Sequence, residues 1–306
     1  MLGFVLLVWG LMPPLNTVFN QSFSPTFRSA IMYLVAAICI TLICARQLKF
    51  LNKEYFKIAI PTGIFLSVAT FVQKIGLLYT TPTKYAFLEN LSCVVVPVLL
   101  FVVTRKKPSF LTVVSSLACL VGSFVLTGMA SGQTSAFGVG EILCALAGVF
   151  YGVNIAVTGL HVKKLNVLLY LMLQMWVGVI VSFISAILLS VINVNGAPIE
   201  AIRFSFNVWN VLLLIATAIV SNVMCWFLRT MAMMFVSATA VSVIMPFSAV
   251  VTGVVSLLCG MDTFSMELLF GGLISLVAII LSGLAETKYN TKKIENSSKV
   301  KEEKTD

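Results

Sequence analysis

The chain is a succession of apolar runs, each close to the ~20 residues a helix needs to cross a bilayer, separated by short polar turns. The runs fall at 2–22, 27–45, 58–80, 83–104, 109–129, 138–159, 166–191, 208–228, 234–259 and 267–286. Inside hydrocarbon every backbone amide must be paired within the protein, which leaves helices or a closed barrel. The runs are continuous, whereas barrel strands alternate apolar and polar residues, so the pattern predicts helices. Charged residues make up 10% of the chain and hydrophobic residues 59%. A soluble domain carries about a quarter of its residues charged. This chain has too few charges to cover itself in water, and its outer face is predicted to meet lipid. No basic stretch precedes residues 1–22 and no small-residue cleavage pattern stands out, so they read as the first span.

The net charge of +9 does not point to nucleic acid, because the basic residues sit in short clusters between spans. With the N-terminus placed in the cytoplasm, the inner loops hold Arg46, Lys49, Lys53, Lys57, Arg105, Lys106, Lys107, Lys163, Lys164 and Arg229. The outer loops then hold Arg28, Lys84 and Arg203. That asymmetry is the positive-inside pattern of a multi-pass protein of the cell (plasma or inner) membrane, with both termini cytoplasmic. From Glu286 onward six Lys and five acidic residues share 21 positions without apolar periodicity, which predicts a disordered tail over 288–306. All seven cysteines lie in apolar stretches with no C-x-x-C pair, and read as packing residues.

Split near residue 134, each half holds five spans, giving units 1–134 and 135–287. A stretch late in the first half, GLLYTTPTKYAFLENLSCVVVPVLLFVVTRKKPSF from Gly76, has a counterpart late in the second. The counterpart is AMMFVSATAVSVIMPFSAVVTGVVSLLCGMDTFS from Ala232. Both run helix end, polar turn, proline-containing helix, polar turn and a further helix. Because five is odd, the second copy enters the membrane inverted. The fold class expected is an all-α polytopic membrane protein of ten transmembrane helices in two inverted five-helix repeats, with a solute site at their interface.

Trp9-Gly10, the GLLYTTPTKYAFL run, the RKKPS turn followed by Gly122, Gly140-Glu141 and the run from Met231 to Gly253 occur in that order. In these motifs the chain resembles the EamA branch of the drug/metabolite transporter superfamily. The resemblance covers roughly 2–286 and implies permeation of a small metabolite or drug, commonly export. One departure is evident. Members often carry Glu at the end of the fourth helix of each repeat, where this chain has Arg105-Lys106-Lys107 and Asp262.

Charges inside spans are costly and default to function. Lys74 and Glu89 lie at similar distances from the Thr81-Pro82 turn, so a hairpin brings them level, where they could pair as a gate or proton-linked switch. Glu141, near the start of span 6, is a further proton-coupling candidate, or a cap of its helix. The small-residue face Ala145, Gly148, Gly152, Ala156 and Gly159 predicts close packing. The mid-span amides Asn16, Gln73, Asn154, Gln174 and Asn222 must face the interior, as glue between helices or as a cavity lining. Trp9, Tyr151 and Trp226 stand near them as aromatic walls, a combination suited to small organic solutes. Tyr55 and Trp209 read as interfacial anchors. Pro13-Pro14, Pro97 and Pro246 predict bends that free carbonyls near Trp9, Cys93 and Ser242. The stripe Gly271, Ser275, Ala278, Ser282 predicts a packing face, within one chain or in a homodimer.

No metal-binding, phosphate-loop or paired-aspartate motif is present, so no cofactor is expected and an enzyme or receptor is disfavoured. The expected function is a secondary transporter moving a small, amino-acid-like organic solute outward by alternating access. Export of cationic drugs or movement of nucleotide-sugars is the competing reading. The expected partners are the solute and the lipid bilayer.

Overall fold

The computed structural model describes residues 1–126, 138–194, 197–198, 200–204, 206–261, 264 and 266–302. The helices are α1 (Leu2–Ser22), α2 (Pro25–Cys44), α3 (Lys53–Gly76), α4 (Pro82–Leu88), α5 (Ser92–Thr104), α6 (Phe110–Leu126) and α7 (Val139–His161). They continue with α8 (Val167–Val191), α9 (Val208–Thr217), α10 (Trp226–Ala232), α11 (Ala238–Ile244), α12 (Phe247–Leu258) and α13 (Met266–Glu302). Seven helical stretches are long and apolar enough to cross a membrane. Three shorter apolar helices, Glu89–Thr104, Phe110–Gly122 and Leu269–Ala285, fill the remaining runs. A two-residue ladder pairs β1 (Asn193–Val194) with β2 (Ala197–Pro198) in the connection after α8. Large apolar side chains such as Leu42, Val103, Ile180 and Leu258 stand exposed along the helices. That is the surface of a multi-pass membrane protein.

Local sequence sets the helix ends. Asn52 Oδ1 accepts from the amides of Glu54 at 3.0 Å and Tyr55 at 3.4 Å, capping α3. Asn166 caps α8 in the same way, at 3.0 Å from Leu168 N and 3.4 Å from Leu169 N. Arg105 ends α5 in the left-handed region at φ 57°. Two runs are broken in mid-course. The fourth changes to a 3-10 turn at Glu89–Leu91 between α4 and α5. The ninth breaks at Pro246, between α11 and α12, where proline has no N–H to continue the ladder. Within the eighth run, Ala218–Cys225 is a π-helix joining α9 to α10.

Several expectations are corrected. Arg28 belongs to α2 and is 0% exposed, and Arg229 belongs to α10 and is 3% exposed, so neither is a loop charge. Each stands at the end of an apolar run, where composition alone reads a boundary. One is removed from each side of the charge count, so its bias stands. Tyr55 is buried and its hydroxyl accepts from Asn166 N at 3.0 Å, so it ties helix ends together instead of anchoring in headgroups. Trp209 is exposed, as an anchor should be. The third helix begins at Lys53, earlier than 58, because Asn52 caps it there. The backbone of α13 runs on to Glu302, through the charged stretch read as a disordered tail. Lys and Glu are good helix formers once a helix has been nucleated. The division at 134 and the Asp262 turn lie outside the described residues.

Helix pairs meet through small residues. α1 packs on α12, α2 on α8, α3 on α7 and α8, α5 on α7, and α6 on α13. At Gly122 a Cβ would stand 2.7 Å from Ser275 Oγ and 3.0 Å from the Gly271 carbonyl. The stripe that begins with these residues therefore packs within the chain, against α6. At Gly10 a Cβ would stand 2.5 Å from Val251 Cβ and 2.8 Å from the Ser248 carbonyl. Both obstacles are on α12, and the Ser248 carbonyl is backbone that cannot rotate away. Gly10→Leu is expected to cost about 1–3 kcal/mol or more by forcing α1 and α12 apart, read as a lower Tm of the purified protein. An unchanged Tm would show that the seam opens freely.

Candidate functional site

One cavity lies at the centre of the bundle, walled by both halves of the chain. From the first half come Trp9, Met12 and Asn16 on α1, Met32 and Tyr33 on α2, Thr70, Gln73 and Lys74 on α3, and Tyr85, Glu89, Asn90 and Ser92 around the 3-10 turn. From the second come Tyr151 and Ile155 on α7, Ser221 and Asn222 in the π-helix, Trp226 and Arg229 on α10, and Met245, Ser248 and Thr252. About 1020 Å³ of non-protein space, its mouth included, lies between these walls.

Irregular backbone delivers several of the polar groups. The 3-10 turn starts at Glu89, and α7 approaches it so closely that a Cβ on Gly148 would stand 2.7 Å from the Glu89 carbonyl. One turn on, a Cβ on Gly152 would meet Val95 Cβ at 2.7 Å, so this face of α7 is a packing face as expected. Pro14 has no N–H to offer the Gly10 carbonyl, and Thr252 Oγ1 donates to that carbonyl instead, at 2.8 Å. A bend expected from Pro13-Pro14 is thus satisfied across the two halves.

A hydrogen-bond chain crosses the cavity wall, and its last links have one direction. Gln73 Nε2 donates to Glu89 Oε2. Gln73 Oε1 accepts from the Tyr151 hydroxyl at 2.7 Å. Tyr151 has one proton and gives it to Gln73, and its oxygen lies 3.1 Å from Thr70 Oγ1, whose own proton goes to the Leu66 carbonyl at 2.9 Å. Thr70 in turn accepts from the Tyr33 hydroxyl at 2.9 Å. The directed chain therefore runs from Tyr151 through Gln73 to the Glu89 carboxylate, with Thr70 and Tyr33 packed at its start.

Arg229 adds a buried guanidinium to the cavity wall. Its guanidinium carbon lies 4.5 Å from the Trp226 ring centroid and 5.9 Å from that of Trp9, whose rings are themselves 5.0 Å apart. Tyr151 stacks on Trp226 at 6.4 Å. Nε and Nη2 of Arg229 are buried without a hydrogen-bond partner, and so is Asn90 Nδ2.

Of the residues expected at a site, the cavity gathers Trp9, Asn16, Gln73, Tyr151, Asn222 and Trp226, with Lys74 and Glu89. The Lys74–Glu89 pairing itself does not form. Among the described residues the ion pair is Lys84–Glu141 at 3.8 Å, and Glu89 is held by Gln73 instead. Asn154 and Gln174 lie outside the cavity. Asn154 Nδ2 donates to the Thr62 carbonyl at 3.0 Å, and Gln174 Nε2 donates to the Tyr170 hydroxyl at 2.8 Å. Tyr170 also binds Thr62 and Thr158, so these residues tie α3, α7 and α8 together. Glu141 is likewise off the cavity. It accepts from Gly138 N at 3.1 Å at the start of α7 and from Thr80 Oγ1 at 2.8 Å. Sequence reasoning missed Arg229, Tyr33, Tyr85 and Asn90; a basic residue three positions after Trp226, on the same helical face, was the available signal for Arg229.

Beside the α1–α2 turn a second buried cluster closes the bundle. Glu200 accepts from Thr26 N and Thr26 Oγ1, both at 2.9 Å. Arg28 Nη1 donates to the Asn16 carbonyl at 3.2 Å and to Asn20 Oδ1 at 3.1 Å. Phe204 packs edge-on against Phe23 at 5.2 Å and Phe27 at 5.9 Å, and Ser24 N donates to the Arg203 carbonyl at 3.0 Å.

Comparison with known proteins agrees with this architecture. Residues 1–128 match the EamA-like transporter family. A protein of Archaeoglobus fulgidus described as an uncharacterized transporter is 24% identical over 283 residues, covering 92% of this chain and 84% of that one. A crystal structure with 14% identity superposes with a TM-score of 0.71, over 94% of this chain and 96% of the other. That likeness is one of fold.

Proposed function

From a chain whose residues 1–128 carry the EamA-like transporter fold signature, we propose a secondary transporter that moves a small, amino-acid-like organic solute outward by alternating access. The observation that carries this reading is the central cavity, where amides, aromatic rings and buried charges from both halves converge. The pattern of helix contacts supports two inverted five-helix repeats. The packing of α1 on α12 is matched by that of α7 on α5, and α2 on the π-helix by α8 on α3. The pairs α2–α8 and α6–α13 map onto themselves under the same exchange. An internal two-fold of this kind places the solute site on its axis. The broken fourth and ninth runs are equivalent under it, and both border the cavity.

Lys74 and Glu89 are the gating pair of this reading, acting as separate groups on the wall. Both termini lie in the cytoplasm and the protein resides in the plasma or inner membrane, as the loop charges favour. Overexpression in cells challenged with toxic amino-acid analogues and lipophilic cations tests the reading. Selective resistance to the analogues is expected. Resistance to the cations alone would move the assignment to multidrug export, and sensitisation would reverse the direction.

A further inference from the structure

We propose that Arg229 is the anchor for a carboxylate of the solute, which the cavity holds against the Trp9–Trp226 pair by the Nε–Nη2 edge of the guanidinium. This deepens the transport reading and rests on it for the word solute, though not for the binding itself.

A guanidinium offers five N–H donors in a fixed fork, and its Nε–Nη2 edge matches the two oxygens of a carboxylate. On Arg229 these are the two atoms without a partner. The side chain is 3% exposed, and among the described residues no carboxylate lies within ion-pair distance of it. Aromatic faces at 4.5 and 5.9 Å offset part of the cost of burying the charge, but they leave the hydrogen-bonding edge empty. A buried cation whose nearest carboxylate, Glu89 on the same wall, makes no hydrogen bond to it is costly, and such groups inside a membrane mark pathways for charged solutes.

The rest of the wall points the same way. The other unpartnered buried polar atom there, Asn90 Nδ2, is also a donor. Lys74 adds a further N–H donor that, among the described residues, forms no ion pair within 4.0 Å. The one carboxylate, Glu89, already accepts from Gln73. An excess of donors calls for an acceptor-rich ligand, and a lipophilic cation would meet the Arg229 guanidinium. Arg28 leaves the same edge unpartnered, but its Nη1 is tied to Asn16 and Asn20 and it lies off the cavity wall. The flat walls of Trp9, Trp226 and Tyr151 suit an aromatic or otherwise planar body. Because Nε and Nη2 are sealed from solvent, side chains around them must shift to admit the carboxylate.

The test uses the purified full-length protein and its intrinsic tryptophan fluorescence, with 3-phenylpropionate, phenylalanine and phenethylamine as probes. These share one ring and differ in carrying a carboxylate, both groups or an ammonium. Saturable quenching by the two carboxylates and none by the amine is expected. Equal affinity of phenylpropionate and phenylalanine identifies the carboxylate alone as the handle; a gain for phenylalanine adds an ammonium contact to it. Arg229→Lys, which keeps the charge but not the fork, is expected to weaken carboxylate binding about tenfold or more. Lys163→Gln, on an exposed turn, is expected to leave it unchanged. The proposal is overturned if phenethylamine binds as well as phenylpropionate, if no carboxylate quenches saturably, or if folded Arg229→Lys and Arg229→Gln both bind like the parent. Flux in proteoliposomes separates the two readings. Arg229-dependent binding without flux removes transport and keeps the anchor, whereas flux indifferent to Arg229 does the reverse.

Discussion

Glu89→Gln is expected to give a folded protein whose transport no longer varies between acid and neutral pH, while Glu89→Leu both unfolds more easily and loses transport. The difference follows from the direction of the hydrogen-bond chain. Tyr151 donates to Gln73 and Gln73 donates onward, so Glu89 must accept at the end. Glutamine keeps an acceptor oxygen in that place, so the chain closes, but it cannot change charge. Leucine removes the acceptor and leaves the Gln73 amide unsatisfied, at a cost of about 1–3 kcal/mol. A hydrogen bond to a charged group contributes about 1.5–3 kcal/mol, so its loss in the working cycle corresponds to a tenfold or greater fall in flux. Proteoliposome flux at several pH values, with the Tm of each variant, decides the matter. If Glu89→Gln keeps the parent's pH profile, Glu89 is not the proton-linked group.

Glu200→Ala is expected to loosen the closure beside the α1–α2 turn, lowering stability by about 3 kcal/mol. Two hydrogen bonds to a carboxylate disappear together, one of them at the first turn of α2, where a negative charge also complements the helix dipole. The loop that carries Phe204 is then held to Phe23 and Phe27 by ring contacts and one backbone bridge. A cysteine placed at Asn20 should react faster with a water-soluble maleimide in this variant than in the parent, once reactivity of the native cysteines is subtracted. Glu200→Gln, which keeps one acceptor, should fall between them. Parent-like labelling and Tm in Glu200→Ala would show that the rings and the Ser24–Arg203 pairing hold the closure without Glu200.

Much of this molecule was legible in its sequence, for reasons that differ from residue to residue. Apolar run length alone located the helices, because lipid imposes one requirement on every span. Trp9, Asn16, Gln73, Tyr151, Asn222 and Trp226 were readable as cavity walls, since polar or aromatic groups in mid-span have few other places to go. Asn154 and Gln174 obey the same rule but satisfy it against Thr62 and Tyr170, a choice set by which helices adjoin. Arg28 and Arg229 were hidden by their position at the ends of apolar runs. Among the groups against Arg229 are two indole rings, one of them on α1 at the far end of the chain. Glu141 sits where a buried carboxylate and a helix cap are indistinguishable until Thr80 and Gly138 are seen beside it.

The π-helix at Ala218–Cys225 sets the rotational phase of everything after it. Each residue of an α-helix turns the chain by about 100°, and each π turn takes up an additional residue before its hydrogen bond closes. Trp226 and Arg229 follow immediately, so the azimuth at which they leave the axis is dialled by the wide turns upstream. Wound as ordinary α-helix, the same eight residues would swing the indole and the guanidinium around the axis and away from Trp9. The eighth run is thus an indexing device, with its setting written into backbone winding as well as side-chain choice.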